Sequence, residues 1–532
     1  MTNQSYPWWK TAVFYQIYPR SFMDANGDGV GDLEGIRQKL DYLAALGIDA
    51  IWISPIFPSP MIDFGYDVSD YCGIEPLFGC MDDFDRLLYE AHQRGLKIVL
   101  DWVPNHTSDQ HPWFIEARQS KDNPRRDWYI WKDAKPDGSP PNNWESFFGG
   151  SAWMWNASTG QYYLHQFMEQ QPDLNWRNPE VRLAMYDTLR FWLAKGVDGF
   201  RMDVIPHLMK HPDFPDNPFR PDAHGRIYQE HKYDRDQPEI HERLREIRQV
   251  LNAYPGDRVA IGETYFDTPA ELMVYCGKEL DELHLPFNFS LIHLPWEASQ
   301  FKKAIREYYD ALPPGAAANF VLGNHDKHRL ATRFGKENLR TAALLLLTLK
   351  GSPTLYYGDE LGMVDGAISP EQYQDPVMTR KADTDEGRDP ERTPMQWDSS
   401  PNAGFSPAGV ETWLPVNADY REVNVAREAA DPNSPLNFYR RLLALRRSEP
   451  ALLDGDIEFI EHLQDDVMAY LRSSEAQKYL IAINFGAHSR QVELPQNLRR
   501  GEIILSTLPA KSKLDAARLR LRPHEGALLI ID

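Results

Sequence analysis

The 532-residue chain contains very little cysteine: only Cys72, Cys80 and Cys276. Three cysteines cannot build a disulfide framework, although Cys72 and Cys80 could in principle be bridged. The chain also begins without a basic segment followed by an apolar stretch, so we expect no secretory signal. These features together favour a cytoplasmic protein.

Long apolar runs and excess positive charge are missing as well. No window reaches the roughly 18 apolar residues of a membrane-spanning helix, and the longest run, 341–349, suits a helix in a protein core. The net charge is −21, from 57 Lys and Arg against 78 Asp and Glu. Nucleic acids and anionic membranes bind clustered Lys and Arg, so we expect neither as a partner.

What is present is a regular alternation of strand-like and helix-like segments. The length exceeds what one hydrophobic core supports, so we expect one large domain and one or two smaller ones. The alternation, with helices such as Leu33–Leu46 and Met81–Arg94, predicts an α/β fold built on a (β/α)8 TIM barrel. The predicted barrel strands are Val13–Tyr18, Ala50–Ser54, Lys97–Asp101, Gly199–Val204, Val259–Glu263, Glu282–Phe287, Asn319–Leu322 and Pro353–Tyr357.

Two connections are too long for ordinary loops between a strand and a helix. Residues 105–171, after the third strand, are rich in Trp, Pro, Asn and Gly and predict a small inserted domain. The second connection, about 362–432, follows the eighth strand. The barrel would then comprise 1–104 and 172–453.

The residue pattern changes at residue 454, where short segments of alternating apolar and polar residues replace the helical pattern. Residues 454–532 therefore predict a C-terminal antiparallel β-sandwich. Its predicted strands are Ile457–Glu461, Val467–Leu471, Tyr479–Ile483 and Ala527–Ile531.

Three carboxylates each follow a short apolar strand: Asp203, Glu263 and Asp326. The carboxyl ends of barrel strands converge on one face, where catalytic residues lie. Two carboxylates facing each other across a sugar are what glycosidic bond cleavage needs, one to attack and one to protonate the leaving oxygen. A single acid at such a place is more often a strand-end cap. Three at equivalent positions favour a catalytic site.

Five motifs occur in a fixed order along the chain. They are Asp-Trp-Val-Pro-Asn-His (101–106), Gln-Pro-Asp-Leu-Asn-Trp (171–176), Gly-Phe-Arg-Met-Asp-Val (199–204), Gly-Glu-Thr (262–264) and Gly-Asn-His-Asp (323–326). With them the chain resembles the α-amylase superfamily, glycoside hydrolase family 13, and its α-glucosidase and oligo-1,6-glucosidase group. The resemblance implies a retaining, exo-acting α-glucosidase that hydrolyses terminal bonds of short gluco-oligosaccharides or small α-glucosides, with transglucosylation.

The resemblance also implies roles for single residues. Asp203 would be the nucleophile that forms a covalent glucosyl-enzyme intermediate, and Arg201 would keep it ionised. Glu263 would be the general acid and base, with a raised pKa. Asp326 would bind the sugar 2- and 3-hydroxyls. Further substrate contacts are implied for Tyr66, Asp67, His106, His325 and Arg388.

In related exo-acting α-glucosidases an Asp–Arg pair binds the terminal glucose and closes the pocket behind it. The resemblance assigns this pair to Asp67, in Gly-Tyr-Asp, and Arg388, in Gly-Arg-Asp-Pro. Tyr66 would offer a stacking face under the same glucose. The alternative is a structural salt bridge in a long loop.

The acidic, glycine-rich segment 24–32 has the pattern of a calcium loop, with oxygen donors at alternate positions and glycines where the chain turns. It lacks the distal Glu of an EF-hand. Ca²⁺ is the expected ion, Mg²⁺ the alternative ion, and a metal-free turn the alternative structure. The predicted ligands are the side chains of Asp24, Asn26, Asp28 and Asp32 and the carbonyl of Val30.

Val204 favours acceptance of α-1,6 bonds or of mixed linkages, because relatives with Val after the nucleophile tend to accept α-1,6 bonds and those with Thr or Ala prefer α-1,4 bonds. The alternatives on the same scaffold are an α-glucosyltransferase and a sucrose- or trehalose-type α-glucoside enzyme. A non-catalytic scaffold is disfavoured, because such proteins lose the catalytic carboxylates. We expect a monomer or homodimer.

Overall fold

A computed structural model describes residues 6–221, 225–380, 387–498, 500–509 and 519–531. The strands in these ranges are β1 (Phe14–Ile17), β2 (Ala50–Ile53), β3 (Lys97–Trp102), β4 (Trp131–Lys132), β5 (Trp153–Asn156), β6 (Gln161–Leu164), β7 (Gly199–Met202), β8 (Phe219–Pro221), β9 (Ile227–Gln229), β10 (Val259–Gly262), β11 (Leu285–Pro286), β12 (Asn319–Val321), β13 (Ser352–Tyr356), β14 (Asp456–Phe459), β15 (Val467–Ser473), β16 (Lys478–Asn484), β17 (Arg490–Gln491), β18 (Gly501–Ser506), β19 (Arg520–Leu521) and β20 (Gly526–Ile531).

Eight parallel strands form a nearly closed barrel in the order β11-β10-β7-β3-β2-β1-β13-β12. Most of their residues are apolar and buried, as parallel strands covered on both faces require. The predicted TIM barrel is therefore confirmed. The predicted strand Glu282–Phe287 shrinks to Leu285–Pro286. The N–H groups of Glu282 and Leu283 donate to the carbonyls of Cys276 and Tyr275 rather than to a neighbouring strand, and Pro286 has no N–H to donate.

Helices surround the barrel. The predicted helix Leu33–Leu46 is two helices, which meet at Lys39 with φ −100° and ψ 5°, outside the α region. The α-helices are α1 (Pro19–Phe22), α2 (Leu33–Gln38), α3 (Leu40–Leu46), α4 (Met81–Gln93), α5 (Pro112–Ala117), α6 (Pro179–Lys195), α7 (Ile240–Asn252), α8 (Pro269–Val274), α9 (Ala298–Ala311), α10 (Leu330–Phe334), α11 (Leu339–Thr348), α12 (Pro376–Arg380), α13 (Val425–Ala430), α14 (Pro435–Ser448) and α15 (Pro450–Leu453).

The segment between β3 and α6 builds a small antiparallel sheet in the order β4-β6-β5. Its own core contains Trp144, Trp153 and Leu164. This unit stands at the carboxyl ends of the barrel strands, where β3 ends, so its side chains can reach the same face of the barrel.

The C-terminal region is a five-stranded antiparallel sheet, β14-β15-β16-β20-β18, with a smaller sheet of β17 and β19. One face of the larger sheet packs with the smaller sheet around Leu480 and Leu521. The other face meets the barrel, where the hydroxyls of Tyr470 and Thr348 lie 2.6 Å apart. The predicted C-terminal sandwich is confirmed. Among the described residues, no helix is both long and apolar enough to cross a bilayer.

Candidate active site

The three predicted acids line one cavity of about 470 Å³ at the carboxyl ends of the barrel strands. Asp203 follows β7 directly, and Glu263 follows β10 directly. Asp326 lies in the loop that leaves β12. A cavity of this size is typical of small-ligand sites.

Arg201 binds three carboxylates at the bottom of the cavity. Its Nη1 lies 2.8 Å from Asp101 Oδ1 and 2.7 Å from Asp203 Oδ1. Its Nη2 lies 2.8 Å from Glu263 Oε2. We call these four residues, Asp101, Arg201, Asp203 and Glu263, the floor cluster; all are buried.

The strand geometry explains this convergence. Arg201 and Asp203 are two residues apart along β7, so their side chains leave the chain on the same side. Asp101 on β3 is the direct neighbour of Arg201 in the parallel register. Glu263 follows the neighbouring strand β10, whose last residue pairs with Met202.

The floor cluster carries one positive charge for three acids. Burial, followed by the neighbouring Glu263 carboxylate, raises the pKa of Asp203 well above its usual range. Burial also raises the pKa of Asp101 to about 6, against the opposing effect of Arg201. Arg201 favours the ionised form of Asp203, as expected, but it is shared among three acids and does not outweigh the effect of burial.

Besides Arg201, two donors orient Glu263. The backbone N–H of Val204 donates to Oε2 at 3.0 Å, and the Tyr265 hydroxyl donates to Oε1 at 3.1 Å. Val204 has φ 37° and ψ 45°, a left-handed conformation that is strained for a β-branched residue. The strained turn aims its N–H at the carboxylate. Neither contact was predicted from the sequence.

A second group of charges forms the wall of the pocket. Arg388 Nη2 lies 2.9 Å from Asp63 Oδ1 and 2.8 Å from Asp375 Oδ1. Arg392 Nη2 lies 2.9 Å from Asp326 Oδ1, and Arg388 Nη1 lies 3.6 Å from the same oxygen. We call Asp63, Asp326, Asp375, Arg388 and Arg392 the wall cluster.

The wall cluster keeps Asp326 ionised. Burial alone would raise its pKa, but the Arg392 and Arg388 guanidinium groups hold the pKa of Asp326 well below its usual range. An ionised carboxylate accepts hydrogen bonds without donating any, which suits a residue that binds sugar hydroxyls.

The predicted pair of Asp67 with Arg388 is wrong. Asp67 is fully buried and accepts hydrogen bonds from the Ser59 hydroxyl at 2.9 Å and from the N–H groups of Ile62 and Asp63 at 2.9 and 3.0 Å. It does not line the cavity. The partner of Arg388 from this loop is Asp63, which does line it.

The backbone of the loop explains the exchange. Met61 and Phe64 have positive φ values of 63° and 50°, and Gly65 has φ 106°. This tight path turns Asp63 into the cavity and leaves the Asp67 carboxylate to bind the N–H groups of the turn. Asp63 stood four residues before Asp67 in the sequence, but a single sequence cannot tell which of two nearby acids faces the pocket.

The predicted histidines and Tyr66 lie together on the cavity surface. Tyr66 and His325 are stacked with ring centroids 5.5 Å apart, and the Tyr66 hydroxyl lies 2.7 Å from His325 Nε2 and 3.1 Å from Asp101 Oδ2. Burial lowers the pKa of His106 to about 3 and that of His325 well below its usual range. Both imidazoles are therefore neutral.

Aromatic residues that the sequence did not single out complete the cavity. Phe147, Phe148 and Phe167, from the segment between β3 and α6, line it together with Tyr265. Phe147 and Phe167 are stacked with centroids 5.4 Å apart. Aromatic faces pack well on the apolar faces of sugar rings. With 64 aromatic residues in the chain, composition alone could not select these four.

The predicted calcium loop connects α1 and α2, away from the cavity. Asp24 accepts the N–H groups of Gly27 at 2.6 Å and Gly29 at 2.8 Å, and Asp32 accepts the N–H of Gly35 at 2.6 Å as the cap of α2. The other predicted ligands lie in the same turn: Asn26, Asp28 and Val30. Their side-chain oxygens are of the hard type that Ca²⁺ prefers, and several of them accept N–H groups of the turn. The ion itself stays a prediction.

A parallel barrel with buried acids at its strand ends, and an arginine-rich wall beside them, is the arrangement typical of a glycoside hydrolase. The model of the α-amylase catalytic domain matches residues 16–455, and that of the α-amylase SusG C-terminal domain matches 467–527. The chain belongs to the α-amylase family.

Known relatives are similar to this chain, in sequence and in structure, over almost its whole length. The oligo-1,6-glucosidase of Parageobacillus thermoglucosidasius is 41% identical over 98% of this chain and 98% of its own. The crystal structure of the α-glucosyl transfer enzyme XgtA superposes with a TM-score of 0.92 at 40% identity, covering 99% of this chain and all of the other. The trehalulose synthase MutB of Pseudomonas mesoacidophila MX-45 gives a TM-score of 0.90 at 39% identity, with 99% and 100% coverage.

Proposed function

We propose that the protein is an exo-acting, retaining α-glucosidase that removes terminal glucose from short gluco-oligosaccharides or small α-glucosides. The observation that carries this proposal is the wall cluster, in which Arg388 bridges Asp63 and Asp375 beside Asp326. These paired groups form one side of the cavity. We expect them to close it behind a single terminal sugar that also contacts the floor cluster.

In the first half-reaction an Asp203 oxygen attacks the anomeric carbon of the glucosyl unit. The bond from that carbon to the glycosidic oxygen breaks, and the oxygen takes the proton from Glu263. In the second half-reaction Glu263 removes a proton from water, whose oxygen displaces Asp203. The contacts from Val204 and Tyr265 position Glu263 for both transfers.

The sugar is held by groups in fixed protonation states. Ionised Asp326 accepts the 2- and 3-hydroxyls, and neutral His106 and His325 border the same sugar. Asp63 accepts a hydrogen bond from the 4-hydroxyl of the terminal glucose, and Arg388 donates one to it. These contacts strengthen as the ring distorts toward the transition state.

The experiment is a product profile from maltose, isomaltose, sucrose and trehalose, with glucose and transfer products counted separately. We expect glucose release with isomaltose accepted, since Val204 follows the nucleophile and the Parageobacillus relative is named an oligo-1,6-glucosidase. Proton NMR should show α-glucose first. Amylose should lose viscosity slowly, because a closed pocket cannot bind the middle of a chain; rapid internal cleavage contradicts exo-action.

A glucosyltransferase is the second candidate function. The relatives named an α-glucosyl transfer enzyme and a trehalulose synthase share the fold at TM-scores of 0.92 and 0.90. Transfer needs the same first half-reaction, with a sugar hydroxyl in place of water. Transfer products that outnumber free glucose at low substrate concentration would favour this candidate.

We also propose that the loop of Asp24 and Asp32 binds Ca²⁺ and stabilises the entry to α2. EDTA should then lower the melting temperature by a few degrees and change activity less, because a ligand that binds only the folded state stabilises it. The exposed Asp28 supplies a variant: in Asp28→Ala the calcium effect on melting should shrink. An equal calcium effect in this variant, or none in the parent, contradicts the proposal.

We propose that the protein is cytoplasmic. We also propose that it is a monomer or a homodimer. The location is supported by Cys72, Cys80 and Cys276, all of which are free thiols. Size-exclusion chromatography with light scattering decides the oligomeric state.

A further inference from the structure

A separate group of titratable side chains lies outside the floor and wall clusters, where the partly exposed His328 lines the cavity. His328, Asp365 and Glu391 come from three different loops, and one ligand atom of each lies within 4.8 Å of the others. His328 Nδ1 is 2.8 Å from Asp365 Oδ2 and 3.8 Å from Glu391 Oε2. We call these three residues the mouth cluster.

Two of its members are held by the surrounding backbone. Asp365 Oδ1 accepts the N–H of Arg329 at 2.7 Å, which leaves Oδ2 directed at His328. The N–H of Asp365 donates to the Thr332 hydroxyl at 2.8 Å. Glu391 is carried on the same short turn as Arg392 of the wall cluster. The mouth cluster is thus built on fixed elements.

Glu391 supplies the observation that points to a ligand. The residue is only 1% exposed, and its Oε2 has no hydrogen-bond donor among the described residues. A buried carboxylate oxygen without a donor is costly. That oxygen faces His328 Nδ1 at 3.8 Å, beyond hydrogen-bond distance, whereas Asp365 already lies at 2.8 Å from the same nitrogen. A metal ion between the three would engage all of them.

We propose that His328, Asp365 and Glu391 bind a divalent first-row transition-metal ion, with zinc as the principal candidate. One imidazole nitrogen and two carboxylate oxygens are a typical ligand set for such ions, and the remaining coordination position would face the cavity. Ligand atoms around tetrahedral zinc lie about 3.3 Å apart, given bonds of about 2.0 Å. The two distances at His328, 2.8 and 3.8 Å, bracket that spacing.

The position of the site predicts what the ion does. His328 and Glu391 both line the cavity, so the ion would occupy its mouth, where the leaving part of a substrate passes. Bound zinc should therefore inhibit turnover reversibly. This consequence rests on the proposed glycosidase function, but metal binding itself does not.

The test uses the full-length protein in excess calcium, which keeps the loop of Asp24 filled. Co²⁺ is added and its visible absorption recorded, and Zn²⁺ binding is measured by calorimetry. We expect one ion per chain and at least about a 10-fold loss of affinity in His328→Gln and in Glu391→Gln. His488→Gln, which removes an exposed imidazole of the C-terminal domain, is the matched control and should bind like the parent.

Inhibition by zinc is measured on an aryl α-glucoside with the same variants. The proposal requires that His328→Gln and Glu391→Gln resist zinc and that His488→Gln does not. Equal inhibition of all variants would place the ion on the catalytic carboxylates and overturn the proposal. No binding at millimolar Co²⁺ or Zn²⁺, or unchanged binding in both cluster variants with unchanged melting temperatures, would also overturn it. An inactive protein that still binds Co²⁺ through His328 would contradict only the proposed function.

Discussion

The floor cluster and the wall cluster use the same residue types for opposite purposes. The floor cluster places three acids around one guanidinium, and the pKa of Asp203 rises. The wall cluster places three acids around two guanidinium groups, and the pKa of Asp326 falls. The floor cluster is buried throughout, whereas Asp326 and Arg388 of the wall cluster are partly exposed, so the clusters differ in burial as well as in charge.

The ratio of cationic to acidic side chains decides the chemistry of each cluster. A surplus of buried acid favours one shared proton in the floor cluster, and the mechanism then requires that proton on Glu263 with Asp203 ionised. A nearly balanced set leaves a carboxylate ionised as a permanent acceptor for hydroxyls. One pocket thereby holds a proton carrier and a fixed acceptor side by side.

The largest expected effect comes from removing members of the floor cluster. Asp203→Ala should lower kcat by roughly 10⁴-fold or more, because no covalent intermediate can form. Glu263→Gln should lower turnover of disaccharides strongly but spare α-glucosyl fluoride, whose leaving group needs little protonation. Steady-state kinetics on both substrates measure this.

Both variants should melt near the parent temperature, since each removes one acid from a cluster with surplus negative charge. If Glu263→Gln loses activity equally on the fluoride and on maltose, Glu263 is not the acid. The floor cluster would then need a different proton carrier.

The second prediction tests the wall cluster through Arg388. Arg388→Ala removes charge-assisted bonds worth roughly 1.5–3 kcal/mol, so kcat/KM on disaccharides should fall roughly 10- to 150-fold. Because Arg388 helps to lower the pKa of Asp326, its loss raises that pKa. The acidic limb of the pH profile should therefore move to higher pH.

Arg86→Ala is the control for Arg388→Ala, because this side chain is 59% exposed on α4. It should leave both kcat/KM and the pH profile unchanged. An Arg388→Ala profile that falls in height without moving along the pH axis would show that Asp326 is kept ionised by other groups.

The third prediction has a smaller expected effect and distinguishes the role of Asp63 in substrate binding from that of Asp67 in loop stability. Asp63→Asn weakens the ion pair with Arg388 and should raise KM about 10-fold with little change in melting temperature. Asp67→Asn disturbs three hydrogen bonds inside the loop and should lower the melting temperature while changing KM less. The reverse pattern would restore the pair predicted from sequence.

The sequence predicted most of the fold, because buried parallel strands and amphipathic helices follow local periodicity. It also found the acids after β7, β10 and β12, which lie inside extended motifs. It missed Asp63, Tyr265 and the strain at Val204, since these depend on how a loop turns in three dimensions. The sharing of Arg201 was hidden for the same reason: strand register, not spacing along the chain, brings Asp101 beside it.

The smallest expected effect extends the comparison to an acid outside the pocket. Glu428 lies on α13 with no ion pair among the described residues, and it accepts the N–H of Leu436 at 3.0 Å. Burial raises its pKa from 4.5 to about 8. The folded protein therefore binds a proton there that the unfolded chain releases, so stability is lost as pH rises from about 4.5 to 8.

Glu428→Gln keeps an acceptor for Leu436 without the charge. It should raise the melting temperature by a few degrees at pH 8 and leave it unchanged at pH 5, whereas exposed Glu458→Gln should show no difference at either pH. A destabilised Glu428→Gln at pH 8 would mean that this acid is ionised and stabilising, and the charge-ratio rule would then fail outside the pocket.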